Sequence, residues 1–137
     1  MKDPISGYRE IEHTADWALH VWAPDLETLF CQAAIGMYAL AETELASAKR
    51  LARRVELQAP DHETLLVAFL NELLFFGENE GLGFDRFEIS ISHSSLTAAL
   101  VGAEMVSRKK EIKAVTFHNL QVASTPGGFE VTIVFDV

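Results

Sequence analysis

The sequence is poor in cysteine: Cys31 is its only one, which excludes a disulfide within the chain and suits a reducing compartment. It contains no "CxxC" and no "HExxH", so a zinc ribbon or a zinc hydrolase built on those motifs is excluded. It contains no "GxxxxGK", so Gly81 and Gly83 do not belong to a phosphate-binding loop of that type. No Ser/His/Asp arrangement is recognisable. Cations are scarce as well, with 11 Lys and Arg against 20 Asp and Glu and a formal net charge of -9. That balance argues against duplex nucleic acid as a ligand, DNA included, and suits a basic protein partner or divalent cations. The opening "MKDPISGYRE" lacks the apolar stretch of a signal peptide. The Leu/Phe-rich run over residues 65–76 is too short to cross a bilayer and is interrupted by Asn71 and Glu72. These absences predict a cytoplasmic protein with no membrane association.

Apolar residues, by contrast, make up 49% of the 137 positions, enough to build a substantial core in one domain spanning residues 1–137. "YREIEH" (residues 8–13) and "WALHVWA" (17–23) alternate as strands. In the second, Trp17, Leu19 and Val21 share one face, and Asp16, Ala18, His20 and Trp22 the other. Asp25 is placed to cap a helix whose apolar positions Leu26, Leu29, Phe30, Ala33, Met37 and Leu40 recur at helical spacing. "ETELASAKR" is ambiguous between loop and helical turn, and "RRVELQA" reads as a strand. Asp61 should cap a second helix, "HETLLVAFLNELLFFGE", apolar almost all round and so buried on more than one side, with Gly77, Gly81 and Gly83 ending it. Four strands follow: "RFEISIS", "LTAALVGAE", "IKAVTFHNLQVAS" and "FEVTIVFDV", the last two joined by a "TPGG" turn. The predicted class is α+β, a mainly antiparallel or mixed β-sheet with two packed α-helices in a single domain.

Three constellations offer chemistry. "EHTAD" places Glu12, His13 and Asp16 within five residues in a turn, and hard cations favour oxygen ligands aimed in this way. Capping and packing of the turn would account for the same residues. At the other end, the apolar run into Phe135 meets Asp136 and then Val137, so a side-chain carboxylate lies beside the terminal one. Two such charges in an apolar setting shift their pKa values or recruit a cation, and Asp16 would complete an all-oxygen site. Solvation at a sheet edge is the other solution. In "EIKAVTFH", strand alternation puts Lys113, Val115 and Phe117 on one face, with Ala114, Thr116 and His118 on the other. Lys113 is then a snorkelling lysine, a neutraliser of the carboxylates or a contact for a partner's anion. Cys31 lies at helical spacing among apolar residues and reads as core rather than nucleophile. The only basic cluster, "SRKKEIK" (residues 107–113), is usually just solvated in such loops.

Three segments together resemble the archease family: "EHTADWALHVWAPDLETLF", "LLVAFLNELLFF", and "IKAVTFHNLQV" with the ending "FDV". The resemblance runs in order from Tyr8 to Val137. It implies an accessory protein, not an enzyme, for the GTP-dependent RNA ligase that joins RNA 2′,3′-cyclic-phosphate or 3′-phosphate ends to 5′-hydroxyl ends in tRNA splicing and RNA repair. Such a protein promotes guanylylation of the ligase's active-site histidine and multiple turnover, and associates with tRNA only indirectly. It further implies a divalent metal, calcium, held by Asp16, Asp136 and the carboxylate of Val137, with Lys113 as a functional lysine and the neighbouring Glu12, His13, Thr116 and His118 as candidates around them. Phe117 stands where the family often has Tyr, so no phenol hydroxyl can be essential there.

Two readings from other classes remain. One is a small metal-dependent phosphoester hydrolase with Asp16 and Asp136 on the ion and His13 or His118 as base. The other is direct RNA binding through Arg108, Lys109, Lys110 and Lys113.

Overall fold

Two aspartates start the two helices. In the computed structural model, which describes residues 5–11 and 17–137, the Asp25 carboxylate accepts the Thr28 amide at 2.7 Å and opens α1, Leu26–Leu40. The Asp61 carboxylate accepts the Thr64 amide at 2.7 Å and opens α2, His62–Glu80. Each side chain satisfies an amide that the first helical turn leaves without a partner. The second helix continues three residues past Gly77 and ends at Gly81, whose φ of 68° gives the left-handed cap. Gly83 already belongs to the next strand.

The strands are β1 (Gly7–Ile11), β2 (Trp17–Ala23), β3 (Thr43–Leu45), β4 (Leu51–Gln58), β5 (Leu82–Ser92), β6 (Ser95–Arg108), β7 (Ala114–Val115), β8 (Ala123–Thr125) and β9 (Gly128–Asp136). The ambiguous "ETELASAKR" thus contributes β3. Every strand pairing among the described residues is antiparallel. One sheet runs β1-β2-β9-β7, with β8 also on β9. The other is built around β6, which pairs with β5 along one side and with β4 and then β3 along the other. A register shift between Phe84 and Arg86 makes room for the extra residue Asp85. At that point a Cβ on Gly102 would stand 1.8 Å from the Gly83 carbonyl oxygen, so only glycine fits.

Both helices contact both sheets: α1 packs on β1, β2, β5 and β9, and α2 on β4, β5, β6 and β7. That explains why α2 is apolar on several sides through its first three turns, where Leu65, Leu66, Phe69, Leu70 and Leu73 are buried. Leu19, Ile133 and Phe135 from one sheet and Leu96 and Leu100 from the other complete the core. Phe69 sits at its middle, 6.0 Å between ring centroids from Phe30 and 6.5 Å edge-on from Phe87. No polar or charged side chain is buried among the described residues. The fold is α+β, as predicted. Among those residues no helix is long and apolar enough to cross a membrane.

The strand expected over "IKAVTFHNLQVAS" is the main departure. It lies along the free edge of β9 at two places only, β7 with the adjoining Thr116 and β8, and arches away between them over residues 117–122. The break is made by a turn. Asn119 takes φ 50°, and the Leu120 amide returns to the Phe117 carbonyl at 3.1 Å, closing a turn. The alternation therefore stops at Thr116, and Phe117 is 57% exposed instead of sharing the buried face of Val115.

The candidate acidic end of the first sheet

The last strand reaches the candidate site because its inward residues anchor it. Val131, Ile133 and Phe135 are all buried, and Phe135 pairs with Trp17 at the start of β2. Asp136, the next residue, is exposed and pairs with Ala114 of β7. Its carbonyl accepts the Lys113 amide at 2.8 Å. Its carboxylate makes no hydrogen bond or ion pair among the described residues. The structure thus brings Asp136, Val137, Lys113 and Thr116 together at one end of the sheet.

Thr116 plays a positioning part. Its amide and its hydroxyl both donate to the Val134 carbonyl at 3.0 Å, and its Oγ1 accepts the His118 amide at 3.3 Å. This extends the β7–β9 contact by one residue and then turns the chain. His118 stands in that turn, exposed, with its Nε2 3.3 Å from Asn119 Nδ2. Glu12, His13 and Asp16 lie outside the described residues. The strand ends flanking them are described: Ile11 pairs with Ala18, and Trp17 with Phe135.

Two side chains that sequence reasoning missed hold this edge in place. Asn71, on α2, accepts the Val115 amide at 3.0 Å, and Glu63, in the first turn of α2, accepts the Val122 amide at 2.7 Å. Each satisfies a backbone donor without a ladder partner, Val115 on the outer side of β7 and Val122 just before β8. A signal was present: Asn71 is a lone amide in an apolar helical run.

The basic cluster is largely engaged inside the molecule. Arg108 lies 3.9 Å from Glu111, Lys109 lies 3.6 Å from Glu42, and the Lys110 ammonium sits 4.0 Å above the Trp17 ring. These contacts leave Lys113 as the cation of the group with no such partner among the described residues. Cys31 is half-buried, and burial pushes its thiol pKa up, away from the reactive thiolate.

Asp136 at a strand end, exposed and without a side-chain partner among the described residues, suits a hard cation that takes oxygen donors. Among the described residues no three His, Cys, Asp or Glu side chains come together as a metal site.

Comparison with known proteins places the chain in a family. The model described as "Archease protein family (MTH1598/TM1083)" matches residues 8–137. "Protein archease" of Methanothermobacter thermautotrophicus is 31% identical, over 97% of this chain and 100% of that protein. "Protein archease" of Archaeoglobus fulgidus is 33% identical, over 95% of this chain and 98% of that protein. The solution structure of Methanobacterium thermoautotrophicum protein 1598 superposes with a TM-score of 0.70 at 26% identity, covering 96% of this chain and 99% of its own. A Thermotoga maritima crystal structure, described as an archease and possible chaperone, shares the fold with a TM-score of 0.70 at 21% identity, covering 100% of this chain and 98% of its own.

Proposed function

The chain belongs to the archease family, and from that premise we propose that it is a chaperone-like accessory protein, not itself an enzyme, of the GTP-dependent RNA ligase that joins 3′-phosphate or 2′,3′-cyclic-phosphate ends to 5′-hydroxyl ends. It promotes guanylylation of the ligase's histidine and supports repeated turnover in the cytoplasm, meeting tRNA only through the ligase. The match over residues 8–137 carries this reading. The net charge of -9 supports it, because an enzyme that holds RNA presents a basic surface and opposite charge speeds encounter. The engagement of Arg108, Lys109 and Lys110 within the molecule argues against direct RNA binding.

In this proposal Asp16, Asp136 and the Val137 carboxylate hold a divalent cation, calcium. The ion supplies positive charge that lets carboxylates share one end of the sheet. Lys113 contributes from the same end: its amide fixes Asp136 and its exposed ammonium is available to an anion. Thr116 fixes the edge that carries both.

The test is RNA ligation with the cognate ligase as the limiting component. Wild-type chain should raise product beyond the ligase equivalents present, and Asp136→Ala should not. Equal stimulation by the variant would remove the carboxylate from the mechanism. No stimulation by folded wild type would overturn the accessory role, and phosphoester turnover by the chain alone would favour the hydrolase instead.

A further inference from the structure

We propose that the groove between the C-terminal half of α2 and residues 111–113 is a docking site for a lysine or arginine side chain on the surface of the ligase. The inference rests on the accessory role proposed above and extends it to a groove that adjoins the Asp136 end of the sheet.

Asn71, Leu74, Phe75 and Glu78 fall at i, i+3, i+4 and i+7 and so form one stripe of α2. Glu111 and Lys113 form the facing wall, and the groove between holds about 350 Å³. Within the stripe Phe75 is 58% exposed, whereas Leu73, two residues earlier, is 1% exposed. The helix does not need Phe75 for its own packing.

Charge is equally out of place for helix stability. The last turns of α2 carry Glu72, Glu78 and Glu80 and no Lys or Arg, although carboxylates near a helix C-terminus oppose its dipole. Glu80 is answered by Arg53 at 2.6 Å. Glu78 has no ion pair among the described residues, and Glu111 meets Arg108 only at 3.9 Å. An exposed aromatic ring beside two weakly answered carboxylates is the arrangement that receives a long cationic side chain. Its stem and charge lie over the Phe75 ring, and its head is held between Glu78 and Glu111. Lys113 at the end of the same groove repels a second cation and attracts an anion, so it selects a partner segment with a charge order.

The occupant follows from charge. A second copy of a chain with net charge -9 meets an acidic groove with like charge, whereas an RNA-holding enzyme surface offers the cations. Lys113 also links the groove to the acidic end, since its amide bonds to the Asp136 carbonyl at 2.8 Å. A ligase seated in the groove therefore has the Asp136 end of the sheet beside it.

The experiment measures affinity of full-length chain for the purified cognate ligase, with wild type, Phe75→Ala, Glu78→Lys and Glu88→Lys. Glu88 is exposed on β5, so its reversal reproduces the charge change elsewhere. Glu78→Lys should weaken binding about tenfold at low salt, and Phe75→Ala about threefold. Glu88→Lys should change it much less, all four proteins should keep the same calcium affinity, and none should lose thermal stability, Glu78→Lys gaining slightly because it removes a carboxylate that opposes the helix dipole. Unchanged affinity in Glu78→Lys and Phe75→Ala, or an equal loss in Glu88→Lys, overturns the docking site and leaves the accessory role standing. Absence of any ligase binding by wild type overturns both. Self-association of wild type that Phe75→Ala abolishes would assign the groove to a second copy instead.

Discussion

The two sheets are built to different rules. The sheet around β6 holds long ladders: β5 pairs through all of its 11 residues but Asp85 and β4 through all 8, and its interior rows meet Phe69, Leu70 and the rest of the core. The outer edge of the other sheet is two fragments of two and three residues, fixed by side chains that reach in from α2 and by the hydroxyl of Thr116. The first is stabilised by apolar area, which is non-directional and cooperative. The second is stabilised by single polar contacts, each removable alone. The candidate residues Asp136, Lys113 and Thr116 sit at the second. The separation allows the acidic end to be altered without unfolding the scaffold, and it can be tested from the strongest perturbation to the weakest.

Phe69→Ala strikes the scaffold. Its ring is fully buried between Phe30 and Phe87, and truncation should cost about 3–5 kcal/mol. Denaturant unfolding should show one transition moved to lower midpoint, and loss of ligase stimulation only where the chain unfolds. Asn71→Ala strikes the edge. It leaves the Val115 amide without its acceptor, at a cost of about 1–3 kcal/mol. Hydrogen exchange should quicken at Val115 and Thr116 while the β5–β6 ladder stays protected. Asn71→Asp keeps an acceptor and should restore most of the protection. Uniform loss of protection in both sheets would erase the distinction.

Acid supplies the gentlest probe. The Thr64 amide holds the Asp61 carboxyl below its ordinary value of 3.8, and the Arg50 guanidinium does the same to Asp85. A carboxyl depressed by folding adds stability that is complete above its unfolded-state pKa and is lost as pH falls through the lower folded value. The contribution of this pair should therefore be constant above about pH 5 and decline below about pH 4. Both groups face solvent, so the change is small. A variant with Asp61→Asn and Asp85→Asn should show a shallower fall of thermal midpoint in that acid range, and an unchanged slope would remove them as its source.

The features legible in the sequence are those with local causes. Asp25 and Asp61 were readable as caps because the bonded amide lies three residues on. The "TPGG" turn was readable because Pro126 and Gly127 sit between paired Thr125 and Gly128, and Gly128 has φ 140° with no room for a Cβ beside Ala23. The split of β7 from β8 was not legible. The alternation of "IKAVTFH" runs on through Phe117, and the contacts that favour an arch come from Asn71 and Glu63, 44 and 59 residues away from the amides they satisfy. In the site, Lys113 bonds to Asp136 through the backbone, Thr116 bonds to Val134 two residues earlier on the same strand, and His118 stands in the turn beyond. Glu12, His13 and Asp16 lie outside the described residues, so their place beside Asp136 rests on the proposal.

The most direct measurement is formation of the ligase–guanylate adduct from labelled GTP, with the purified cognate ligase alone, with wild-type chain, and with Asp136→Asn. The account predicts a large gain in adduct with wild type and little or none with the variant, whose fold and ligase affinity should be intact. Equal adduct in all three reactions would contradict it.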